Sequence, residues 1–145
     1  MRRLLPGILL FALVTGVAGC NNNNNDTTTT PTTPTTATTP TTTETFSGTL
    51  TKNGAATTAF TATAGGTVTA TLTTLEPDGT VPVGLSLGAW TGSACQVSGI
   101  SNDTAVQGTV VTGTVTSAAA LCVRIYDAAE KVTATMNYTI TVVHP

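Results

Sequence analysis

Thr67-Val68-Thr69-Ala70-Thr71-Leu72-Thr73 alternates without a break, with Val68, Ala70 and Leu72 on one side and four threonines on the other. Successive side chains of an extended backbone leave on opposite faces, so a period of two is the mark of a strand with one face buried. On a helix the three apolar residues would not share a face. Outward from this segment the same pattern recurs. Upstream, Phe46, Gly48 and Leu50 share a face, Lys52-Asn53-Gly54 turns the chain, and residues 57–64 follow with Phe60 as anchor, ending at Gly65-Gly66. Downstream comes the turn Glu76-Pro77-Asp78-Gly79. Val83, Leu85 and Leu87 then alternate toward Trp90, and a loop holds Gly92, Ser93, Ala94 and Cys95. Val97 and Ile100 mark a short strand, with Asn102-Asp103 as its turn, and residues 109–115 form another. Leu121, Val123 and Ile125 alternate with Cys122, Arg124 and Tyr126. Asp127 to Lys131 turns, and Met136, Tyr138, Ile140 and Val142 share the last face.

These runs amount to about eight strands at a spacing of roughly 10–12 residues, with no segment patterned as a helix, which predicts an antiparallel sandwich or barrel. The expected fold is all-β: a single jelly-roll-like β-sandwich. Composition agrees. Threonine supplies 37 of 145 residues, and β-branched side chains favour strands. Charged residues are only 8%, too few for the exposed faces of a helical bundle.

Three stretches carry a resemblance: Ala59 through Leu72, Leu121-Cys122-Val123-Arg124-Ile125-Tyr126-Asp127, and Tyr138-Thr139-Ile140-Thr141-Val142. Together they resemble the bacterial pre-peptidase C-terminal domain and its relatives, which are small jelly-roll sandwiches. The resemblance implies secretion, often beside a peptidase, with occasional calcium or polysaccharide binding. Val83-Gly84-Leu85-Ser86-Leu87 departs from the acidic–apolar alternation common in that family.

The N-terminal region has a different character. Met1-Arg2-Arg3 precedes an apolar run from Leu4 to Val17, shorter than the roughly 20 residues needed to span a bilayer. The stretch then reads Val17-Ala18-Gly19-Cys20, which resembles the lipobox of bacterial lipoproteins. The resemblance implies a signal peptide over residues 1–19 and a diacylglyceryl thioether on Cys20, with acylation of its new α-amine by a fatty acid such as palmitate. Asn21 rather than Asp follows the cysteine, which resembles outer-membrane sorting, with the domain in the periplasm or at the cell surface. Residues 20–43 form the lipidated cysteine and a tether. Threonine fills 13 of the 17 positions from 27 to 43, interrupted by Pro31, Pro34 and Pro40. Such a segment has almost nothing apolar to bury and is expected to be disordered. Fully extended, it reaches at most about 70 Å. Residues 44–145 are left to fold.

Without the signal, three basic residues face seven acids. Three scattered cations cannot make the basic footprint that nucleic acid requires. With Cys20 lipidated, Cys95 and Cys122 remain, and an exported chain is expected to pair them; two free thiols are the alternative. Because Leu121, Val123 and Ile125 take the core face, Cys122 is expected on the outer one. The bridge would then staple the loop after Trp90 to that strand.

Catalytic chemistry finds little support. Gly84-Leu85-Ser86-Leu87-Gly88 matches G-x-S-x-G, but it sits inside a strand with no helix behind it. The only histidine, His144, falls at an end expected to fray. No enzyme activity and no cofactor are expected. Asn102, Asp103, Asp127 and Glu130 are the candidate calcium ligands, although Asx residues ordinarily serve such turns by themselves. Trp90 and Tyr126 are the candidate sugar-stacking rings, with Arg124 beside them. The expected function is a non-catalytic, lipid-anchored envelope or cell-surface module that binds, adheres or supports. Its partners would be the membrane through its lipid and a polysaccharide or envelope protein. The alternative is an accessory domain for a secreted peptidase or polysaccharide-active enzyme. Replacing Cys20 by Ser should abolish incorporation of a labelled fatty-acid precursor; label retained by the variant would refute the lipid anchor.

Overall fold

The computed structural model describes residues 39–145. The signal peptide, Cys20 and the tether up to residue 38 lie outside the described residues. Eight strands follow: β1 (Thr42–Leu50), β2 (Ala55–Ala62), β3 (Gly66–Glu76), β4 (Val83–Trp90), β5 (Cys95–Ala105), β6 (Val110–Val115), β7 (Ala119–Tyr126) and β8 (Met136–His144). No helix occurs among the described residues. The strands build two antiparallel sheets, ordered β1-β8-β3-β6 and β2-β7-β4-β5. Apart from the β4–β5 hairpin, every strand lies in the opposite sheet from its predecessor. This is the jelly-roll order, and the sandwich expected from the alternation is the one formed.

The core is the space between the inner faces. The first sheet contributes Leu50, Val68, Ala70, Leu72, Ile140 and Val142; the second contributes Phe60, Val83, Leu85, Leu87, Val123 and Ile125, all buried. Threonines alternate with them on the outside in β2, β3 and β8, and Gly84, Ser86, Cys122 and Arg124 do so in β4 and β7, so the strand period sorts the sequence into core and surface. In β3 the period slips once. The register with β8 shifts between Leu72 and Thr74, and the next buried residue is Leu75 rather than a residue at 74. Such a bulge places two residues opposite one and restores an apolar side chain to the interior.

Two boundaries differ from the sequence reading. β1 begins at Thr42, within the segment assigned to the tether, because Thr42 and Thr43 pair with His144 and Val143. Threonine suits an edge strand as well as a spacer, and only the partner strand distinguishes the two. Asn102-Asp103 does not end a strand either. β5 runs on to Ala105, and the turn comes at residues 106–109, where the Thr109 amide donates to the Val106 carbonyl. Asn102 still does local work, accepting from the Thr104 amide and hydroxyl, while the register with β4 shifts on both sides of Leu85–Ser86.

Cys95 and Cys122 form a disulfide, with Cα atoms 5.7 Å apart. The bridge joins β5 to β7, and β4 lies between them in the sheet. It can do so because the start of β5 lies over the outer side of β4 at Gly88. A Cβ on Gly88 would collide with the Gln96 carbonyl oxygen and come within 3.2 Å of the Cys95 sulfur. Cys122 holds the outer-face position expected for it, opposite Ala59 and Gly88, yet it is fully buried. Its sulfur is bonded to Cys95, and the Gln96 carbonyl and Cys95 sulfur pack over the neighbouring Gly88. In the chain-entropy view a loop of this length is stabilised by about 3.5 kcal/mol. Reduction of the folded domain should lower its melting midpoint by a margin corresponding to 2–5 kcal/mol, roughly. An unchanged midpoint, with both thiols alkylated beforehand, would sink the bridge.

Candidate functional site

The outer face of β2-β7-β4-β5 gathers the polar side chains that the core leaves unused. β2 and β7 pair Thr57 with Arg124, β7 and β4 pair Arg124 with Ser86, and β4 and β5 pair Ser86 with Ser101. One transverse row therefore reads hydroxyl, guanidinium, hydroxyl, hydroxyl across all four strands. In the row beside it Tyr126 pairs with Gly84. The Tyr126 ring lies over Gly84, where any Cβ would collide with its carbons, and its hydroxyl donates to Asp103 on β5. A glycine is thus required at position 84 by close approach rather than by a turn.

Arg124 stands over the same ring, its guanidinium carbon 4.9 Å from the centroid. Such cation–π contacts hold a guanidinium flat and in place. Among the described residues no carboxylate oxygen lies within 4.0 Å of the Arg124 guanidinium nitrogens. Ser86 is 1% exposed, and its Oγ has no hydrogen-bond partner. Leaving a buried hydroxyl unpaired costs about 1–3 kcal/mol. The Tyr126 hydroxyl is harder to ionise than usual, first because it is desolvated and then because of its hydrogen bond to Asp103 and that carboxylate's charge, opposed by Arg124.

The four candidate metal ligands do not assemble. No group of three or more His, Cys, Asp or Glu side chains able to hold a metal occurs among the described residues. Asp103 accepts from Tyr126, Asn102 from Thr104, and Glu130 lies exposed in a turn at φ 54°. Asp127 accepts from the Asn53 amide at 3.0 Å, the Lys131 amide at 2.9 Å and the Val132 amide at 3.3 Å. It fastens the β1–β2 turn to the end of β7. Trp90 also stands apart. It lies four residues beyond Ser86, about 13 Å along β4, and the Gln96 carbonyl and Cys95 sulfur packed on Gly88 lie between them. Tyr126 is not a free stacking platform, since Gly84 and Arg124 already occupy its ring. Of the three candidate binding residues, the fold unites Arg124 and Tyr126 and leaves Trp90 at the strand end.

Ser86 and His144 lie in different sheets. Ser86 is on the outer side of β4, whereas His144 is buried on β8 with Nε2 at 2.8 Å from Glu44 Oε1 and its ring 5.2 Å from Phe60. The expected fraying at this end does not occur, because the Thr63 amide donates to the Pro145 carbonyl at 2.8 Å. Between the sheets, Val68, Leu87, Ile100, Val115 and Leu121 line an apolar cleft of about 150 Å³. No titratable side chain lines it, and it is smaller than the roughly 300–1,000 Å³ of small-molecule sites.

No family model and no curated protein matches the sequence. The outer-face row therefore has to be read from its own chemistry.

Asp127 supplies a pH test of the turn it secures. Burial disfavours its charge, but the amides of Asn53, Val132 and Lys131 and the charge of Lys52 outweigh burial, so its carboxyl titrates below the usual range. A depressed value stabilises the fold above the unfolded carboxyl's pKa, about 3.9, and that contribution is lost as pH falls through the lower folded value. Asp127→Ala should be less stable than the wild type to urea at neutral pH, and the two midpoints should converge in acid. A gap that persists unchanged in acid would show that the carboxylate's charge is not its source.

Proposed function

We propose that the chain is a lipid-anchored, non-catalytic binding module of the cell envelope. Its lipid would sit on Cys20, its tether would hold the sandwich away from an outer-membrane surface, and the outer face of β2-β7-β4-β5 would meet the partner. The observation that carries this reading is Arg124: a cation fixed on Tyr126 and partnered by no carboxylate, in register with three hydroxyls. A guanidinium held in this way is a recognition element, because its donors keep a fixed direction and await an acceptor. The lipobox, the short apolar run and the threonine-rich tether support display from a membrane. The disulfide supports an oxidising compartment.

The resemblance to the pre-peptidase C-terminal domain favours the second reading, an accessory domain beside a secreted enzyme, and the jelly-roll order is compatible with it. One experiment separates the two. The full chain in detergent is passed over immobilised envelope polysaccharide and, separately, over solubilised envelope protein. Retention by the polysaccharide, with Arg124→Glu reducing it about tenfold or more, is the expected result. Co-purification of a secreted peptidase, unaffected by Arg124→Glu, would favour the accessory role instead.

A further inference from the structure

The row Thr57–Arg124–Ser86–Ser101 has a composition that selects among ligands. It contains one cation, and the two other basic residues of the described part, Lys52 and Lys131, flank the Asp127 turn rather than this row. A polyphosphate or nucleic acid needs several cations to displace its counterions, so one guanidinium does not suit it. A protein interface is anchored by large side chains in a desolvated centre. Here the neighbours on β2 are Ala55, Thr57, Ala59 and Thr61, which are small and exposed. What remains is a ligand with one negative charge and several hydroxyl oxygens per unit.

We propose that this row binds the acidic unit of a polysaccharide: Arg124 takes the carboxylate of a uronic-acid-type sugar, and the exposed hydroxyls of Thr57 and Ser101 take the sugar's oxygens. The inference rests on the binding-module reading and specifies its ligand. Three observations meet in it. Arg124 is positioned on Tyr126, and Tyr126 is tied to Asp103, so the donor fork is held before any ligand arrives. Asp103 is engaged by the tyrosine hydroxyl and forms no ion pair with Arg124. Thr57 and Ser101, in the same row, are exposed and present their hydroxyls to solvent, whereas Ser86 between Arg124 and Ser101 is buried and forms the floor of the row.

The test measures binding of the full chain, in detergent, to three probes: an oligogalacturonate, the same oligomer methyl-esterified, and a poly-glutamate peptide. The oligogalacturonate should bind, and the other two should bind about tenfold more weakly or not at all, since one charge-assisted contact corresponds to at least that factor. Arg124→Gln should lose about tenfold, and Arg124→Lys should fall between, keeping the charge without the planar fork. Thr57→Val should weaken binding while leaving the melting midpoint unchanged, because Thr57 is exposed. Midpoints of all variants check that the fold survives. Equal binding of the ester would overturn the acidic-sugar inference and leave a neutral-glycan module standing. Equal binding of poly-glutamate would assign the cation to a protein partner and overturn it as well. Binding of none of the three also overturns it, while the polysaccharide and protein retention experiment still decides the broader reading.

Discussion

Burial of two aliphatic faces against each other is the interaction on which this structure depends. Each sheet offers one apolar surface, and neither is stable in water alone. The side chains that meet are mostly Val, Leu, Ile and Ala, with Phe60 and Tyr138 the aromatic rings among the buried residues. Removing any large one leaves a cavity that the stiff β-branched neighbours cannot easily fill. Once the two inner faces meet, every strand's register is set, because a one-residue slip would turn its outward residues into the core.

The outer face of β2-β7-β4-β5 inherits its geometry from that constraint. The inward positions of β4 and β7 are fixed by Val83, Leu85, Leu87, Val123 and Ile125, so Gly84, Ser86, Gly88, Cys122, Arg124 and Tyr126 must point outward. Two glycines in this set make room for what covers them. Gly84 takes the Tyr126 ring, and Gly88 takes the incoming backbone of β5. The same alternation therefore aligns the hydroxyls with the guanidinium and clears the space for the disulfide.

Local pattern carried much of this. The seven residues at Thr67–Thr73 and the triplets at Val83, Leu121 and Met136 were sufficient for strands, faces and class, because period two is written into consecutive residues. The pairing of Cys95 with Cys122 was also readable, and so was the outward position of Cys122. What could not be read was anything set by partners distant in sequence. Thr42 and Thr43 look like tether until β8 is beside them. Asn102-Asp103 looks like a turn because Asx chemistry is the same inside a bulge. The outward parity of Ser86 was visible in Val83-Gly84-Leu85-Ser86-Leu87, but its place beside Arg124 depends on a register that joins residues 38 apart. The separation of Trp90 from Arg124 was hidden for the complementary reason: the packing of the Gln96 carbonyl and the Cys95 sulfur onto Gly88 leaves no local trace.

The last strand has a kinetic consequence. β8 lies between β1 and β3, so until it arrives β1 has no partner and β3 has only β6. The Glu44–His144 pair closes a separation of 100 residues. Closing loops of this size before any contact rewards it makes folding slow. The first sheet cannot be completed as the chain emerges from its N-terminus, and its apolar face stays without a full counterpart until the final strand is free. The strand that completes the first sheet is therefore the last of the eight described strands to become available, and the two apolar faces close on each other only once it has paired with both β1 and β3.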